Sequence, residues 1–133
     1  MRIMLDTNIL VSMIFFPSEQ TRKFRQIICE CNEIILCDYV LEELRLVVDR
    51  KFPERKIALE HFFKELPFEL VHTPRNMNLD KYPSVRDQKD SPILATAIIE
   101  NVDVFITGDK DFLVLDMGRP EITTMTDFAE KYQ

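Results

Sequence analysis

A chain of 133 residues, 46% hydrophobic and 30% charged, suits a single globular domain spanning residues 1–133 with a core of its own; these are not the values of a disordered chain. No apolar run approaches the roughly 20 residues needed to span a bilayer, and Met1–Asp6 is charged too early for a signal peptide, so the cytoplasm is the expected compartment. The net charge of −6 argues against holding nucleic acid by bulk attraction, although bound cations would offset part of it.

Arg2 to Leu5 reads as a first strand, ended by Asp6-Thr7-Asn8. Helical spacing follows at Ile9, Leu10, Met13, Ile14 and Phe15. Asp6 thus falls at a strand's carboxyl end beside free helix N–H groups, which suits either an N-cap or an ionised metal ligand. Pro17-Ser18 break the pattern. A second helix runs from about Glu19 to Cys31, with Phe24, Ile27 and Ile28 inward and Arg22, Lys23 and Arg25 outward. Cys29, Cys31 and Cys37 are an odd set that suits reduced thiols. They lack a fourth zinc partner, since His61 and His72 show no ligand spacing. Cys29 and Cys37, among apolar neighbours, are expected in the core.

Ile34 to Cys37 form the second strand, and Asp38 caps a third helix, Tyr39 to about Arg50. Val40, Leu41, Leu44, Val47 and Val48 make one apolar stripe on it. Glu43 lies about 90° from the centre of that stripe and Glu42 about 170°. Glu42 therefore belongs to the surface. Glu43 either reaches into a cleft beside the core or pairs at the boundary with Arg45 or Arg50.

Pro53 suits the first turn of a fourth helix to about Leu66, with Ile57, Leu59, Phe62, Phe63 and Leu66 in the core. Phe68 to Val71 is the third strand, and 73–89 is a long polar connection with two prolines, a length often functional or mobile. Asp90-Ser91-Pro92 opens a helix that is apolar on nearly all sides, Ile93 to Ile99, which places Asp90 at the mouth of a buried element. Asn101 closes it. Val104-Phe105-Ile106 is a buried fourth strand, followed by Thr107-Gly108-Asp109-Lys110-Asp111. Thr107 or Asp109 could cap a helix there. Glu121 to Met125 is the fifth strand, and Thr126 caps a last helix to Tyr132.

Five strands alternating with helices imply a three-layer α/β/α sandwich around a central five-stranded parallel sheet, doubly wound. Ligands of such sheets bind where the strand order reverses. If the first and fourth strands meet there, Asp6 and Asp109 share a crevice, with Asp90 entering before the fourth strand and Glu43 after the second. Carboxylates crowded in this way need cations to offset their repulsion, and an all-oxygen set selects Mg²⁺ or Mn²⁺.

Met4-Leu5-Asp6-Thr7-Asn8, Leu41-Glu42-Glu43-Leu44, Asp90 ahead of Ile93-Leu94-Ala95-Thr96-Ala97, and Ile106-Thr107-Gly108-Asp109-Lys110-Asp111-Phe112-Leu113 resemble the motifs of PIN-domain ribonucleases, in order and spacing, along nearly the whole chain. The nearest branch is the toxin-like PIN proteins of bacteria and archaea. The resemblance implies a Mg²⁺- or Mn²⁺-dependent endoribonuclease acting on single-stranded RNA, often a homodimer and often inhibited by a small antitoxin. It assigns Asp6, Glu43, Asp90 and Asp109 as metal ligands or orienters of the attacking water. Asp111 becomes an accessory ligand, and Asn8 and Thr107 hold the acids by hydrogen bonds. The acidic chain departs from expectation for the RNA surface: Arg86, Lys89 and Lys110 stand beside the acids as phosphate contacts or as solvated charges. The alternative to an enzyme is a catalytically silent PIN-fold module that binds RNA or a partner protein. An aspartyl-nucleophile phosphotransferase fits less well, because Asn8 stands where its second acid belongs.

Overall fold

The computed structural model describes residues 1–30, 32–74, 81–83, 85–86 and 90–132. Five strands, β1 (Arg2–Leu5), β2 (Glu33–Cys37), β3 (Glu69–Val71), β4 (Val104–Ile106) and β5 (Glu121–Thr123), form one parallel sheet in the order β3-β2-β1-β4-β5. Among the described residues, seven α-helices connect and flank them: α1 (Thr7–Phe15), α2 (Glu19–Cys29), α3 (Asp38–Lys51), α4 (Lys56–Glu65), α5 (Ser91–Ile99), α6 (Lys110–Leu113) and α7 (Met125–Tyr132). The chain winds outward from β1 through β2 to β3, returns to β4 on the other side of β1, and continues to β5. Right-handed crossovers then place the helices of the two directions on opposite faces, which is the three-layer α/β/α arrangement.

The central strands are buried on both faces, Ile3, Met4 and Leu5 in β1 and Val104, Phe105 and Ile106 in β4, as continuous apolar runs require. Leu5 is in register with Ile106, and the Asp6 N–H continues that ladder to the Ile106 carbonyl at 3.0 Å. The Thr107 N–H does the same on the other side, to Thr123. The last residues of β1 and β4 therefore emerge side by side at one sheet edge. No helix among the described residues is long and apolar enough to cross a membrane.

Several local expectations are corrected. Cys29 is exposed rather than in the core, because it follows Ile28 onto the outer side of α2, whereas Cys37 is buried. α2 ends at Cys29; Cys31 lies outside the described residues. Arg25 turns its guanidinium over the Phe62 ring, 5.3 Å from its centroid, instead of pointing only to water. Pro53 opens a separate 3₁₀ turn, Pro53–Arg55, and Ile57 at the start of α4 is 68% exposed. β5 is shorter than expected, since Thr124 rather than Thr126 caps α7, its hydroxyl accepting from the Asp127 N–H at 3.1 Å.

Candidate active site

Asp6 is the most enclosed of the described acids, 5% exposed at the end of β1. Its Oδ1 accepts from the Thr7 N–H at 2.8 Å, and its Oδ2 accepts from the Thr107 hydroxyl at 2.7 Å and from the Asn8 amide at 3.3 Å. The same Thr107 oxygen accepts the Asp109 N–H at 3.0 Å. A single fully buried hydroxyl therefore joins both aspartates. Asn8 closes a second link, its Oδ1 accepting from the Gly108 N–H at 2.9 Å. The result is a stitched seam between the ends of β1 and β4.

Asp109 is the cap of α6, accepting from the Asp111 N–H at 2.9 Å, so capping and a functional role are not exclusive. Asp111, in the first turn of α6, lies 3.8 Å from exposed Arg86, a long contact that contributes little. Lys110 is exposed, and Lys89 lies outside the described residues. Glu43 is half-buried on α3, while its neighbour Glu42 is exposed. Asp90 stands at the cap position of α5 without a side-chain capping bond. α5 leads into the start of β4, so its first residue lies at the opposite, carboxyl edge of the sheet, and α5 touches α3.

The electrostatics of Asp6 tie these elements together. Burial pushes its pKa up; hydrogen bonds from Thr107 and Thr7 work against that, and the negative charges of Glu43 and Asp109 add to the rise. The net effect is a carboxyl held above its ordinary value. Glu43, from a different element, is thus near enough to act on Asp6. This donor chemistry suits a hard divalent cation, because all the groups are oxygens and an added positive charge would relieve both burial and repulsion. Among the described residues, no three acids, histidines or cysteines are gathered into a ready-made cage, so an ion would have to draw the carboxylates inward.

Beside the acids opens a neutral cleft that reaches from Asn8 and Thr107 to Phe16 and Gln20. The sequence marks Asn8, Thr107 and Thr126 for other roles, and nothing in it joins them into a cleft. A signal for the cleft that went unread is Phe16, an aromatic residue past the end of the α1 stripe and just ahead of Pro17.

Fold and site together define a doubly wound α/β protein with an acidic seam at its switch point. A family model described as the PIN domain matches residues 2–111. The chain belongs to the PIN domain family, whose members are generally nucleases. Among solved structures it is similar to VapBC2 from Rickettsia felis, bound to a DNA fragment from their promoter. The identity is 22%, with 92% of this chain and 97% of that chain covered at a TM-score of 0.70. At that identity the likeness speaks for the fold. No curated protein matches the chain by sequence.

Proposed function

We propose that the protein is a Mg²⁺- or Mn²⁺-dependent endoribonuclease that hydrolyses single-stranded RNA, and that it serves as the toxin of a toxin–antitoxin pair. The observation that carries the proposal is the seam itself: buried Asp6 and the α6 cap Asp109 are joined through one Thr107 hydroxyl at the ends of β1 and β4, where Glu43 and Asp109 add negative charge against Asp6. An acidic seam of this kind is costly to a fold unless cations use it. Family membership supports the nuclease activity, and the similarity to VapBC2 motivates the toxin role with a small antitoxin as partner.

In this proposal Asp6 and Asp109 hold the ion, and Glu43 and Asp90 ligate it or orient the attacking water. The bound ion supplies a polarised phosphoryl group and a more acidic water. The protein holds Asp6 in one rotamer through Thr107, Asn8 and the Thr7 amide. Asp111 stands ready as an accessory ligand, and Arg86, Lys89 and Lys110 are the candidate phosphate contacts. Asp6→Asn and Asp109→Asn should each abolish Mn²⁺-dependent cleavage of single-stranded RNA while circular dichroism stays unchanged. Cleavage at the parental rate by either variant would sink the proposal. The proposal extends to a homodimer, for which light scattering should give twice the 15.7 kDa chain mass at micromolar concentration.

A further inference from the structure

The neutral cleft beside the acids has a volume of about 460 Å³, in the range of small-ligand sites. The turn between α1 and α2 forms one wall, and the turn from β5 into α7 forms the other. Twelve described residues line it and none of them is charged, in a chain of which 30% is charged. The lining is rich in hydroxyls and amides, among them Ser18, Thr124, Gln20 and Thr126. Gln20 Nε2 donates to Thr126 Oγ1 at 2.6 Å and so ties the two walls together. At the rim stands Phe16, 60% exposed. Its ring is held in place: it meets Phe52 edge-on at 5.9 Å, and Phe52 stacks at 4.6 Å on the buried Phe15. One end of the cleft is Asn8, Thr107 and Gly108, the residues that stitch the acidic seam.

A phosphate would need cations that this lining does not offer, and a partner helix would seek an aliphatic stripe. A nucleobase is planar and uncharged with hydrogen-bonding edges, and single-stranded nucleic acid is gripped by aromatic platforms of this kind. We propose that the cleft is a nucleobase subsite. The base of a nucleotide next to the cleaved phosphate stacks on Phe16, and its edge meets the Gln20 amide, which has a second N–H and a carbonyl to offer beyond the bond to Thr126. This proposal rests on the RNA-cleaving function and adds to it how the substrate is held.

The chain contains no tryptophan, so F16W places a single, selectively excitable indole at the rim. Titrating F16W with an eight-nucleotide single-stranded RNA in Ca²⁺ should quench its emission saturably, and an abasic ribose-phosphate octamer should not. F16A, folded by circular dichroism, should bind the labelled RNA roughly tenfold more weakly or worse by fluorescence anisotropy, as expected for a lost base–aromatic stack. Unchanged F16W emission on RNA addition, whether the RNA binds elsewhere or not at all, overturns the subsite. So does F16A binding with parental affinity, or quenching by a co-purified protein but not by RNA. If the parent cuts no RNA in Mn²⁺ while the quenching persists, the nuclease proposal falls and the subsite stands. If the parent cuts RNA and F16A retains parental affinity, the reverse holds.

Discussion

Thr107 does more than any other single side chain to hold the seam, since its hydroxyl donates to Asp6 and accepts from the Asp109 N–H. Replacing it with valine keeps the shape but leaves a buried acceptor and a backbone donor without that partner. Such losses cost about 1–3 kcal/mol each at buried positions. T107V should lower stability to urea by that order, and T107S should recover most of it. Cys37 offers a pH-dependent counterpart. Burial pushes its thiol up to about 11, from an ordinary value of 9.0. The folded state keeps the proton longer than the unfolded chain, so this stabilisation is complete below about pH 9 and is lost as pH rises through about 11. It is on the order of 2 kcal/mol, and the stability gap between the parent and C37A should shrink by that order across the window. Iodoacetamide at pH 9 should label exposed Cys29 in the native state but Cys37 only after unfolding. At this scale the placement of Asp6 and Asp109 just past the ends of two strands was legible, because an apolar run that stops at an acid before a helix marks a strand end. That Thr107 holds the acids was implied by the family resemblance alone; spacing could not show one hydroxyl shared by two aspartates, because that depends on a register between residues 101 positions apart.

The start of α3 is fastened to the chain leaving β3, because Asp38 Oδ1 accepts from both the Tyr39 N–H at 2.8 Å and the Thr73 N–H at 2.9 Å. Burial works against the ionised form of Asp38, but the bonds from Thr73, Tyr39 and His72 outweigh it and hold the carboxyl below its ordinary range. An acid with a lowered folded pKa contributes stability above its unfolded value near 4, and that contribution disappears as pH falls through the folded value. D38A should therefore cost about 1–2 kcal/mol at pH 7, and parent and variant should converge in acid. Melting curves from pH 7 down into acid would show it, and a gap that keeps its full pH 7 size down to the lowest pH at which both proteins fold would refute the assignment. Elements with a long, one-sided pattern were legible: of the α3 stripe, Val40, Leu44 and Val48 are buried and Leu41 and Val47 are half-buried at its edges. Short elements were not. In β5 and α7 two threonines two positions apart both suit a cap, and only the reach of the Thr124 hydroxyl to Asp127 decides between them. Ile57 is apolar yet exposed because it falls on the outer side of the first turn of α4, where periodicity is weakest.

For the whole molecule, the strand alternation made the sheet legible, but the meeting of β1 and β4 could only be posed as a condition until the order β3-β2-β1-β4-β5 met it. The cleft was illegible for a related reason: its walls come from residues about a hundred positions apart, and nothing in either turn announces the other. The gathering of acids at that edge has a consequence for global stability. Without metal, Glu43 and Asp109 oppose the ionisation of Asp6, so neutralising one of them should relieve the fold rather than weaken it. Asparagine caps a helix about as well as aspartate, so D109N can keep the bond to the Asp111 N–H while removing the charge. In EDTA at pH 7, D109N should melt no lower than the parent. With Mn²⁺ at 100 times its dissociation constant the parent should gain about 2.7 kcal/mol. That corresponds to a rise of roughly 10 °C for a domain of this size. D109N should gain far less, so the order of the two melting temperatures reverses between the two buffers. A parent protein whose melting temperature ignores Mn²⁺ would show that the acids do not serve a cation, and D109N melting well below the parent in EDTA would show that Asp109 is there for structure alone.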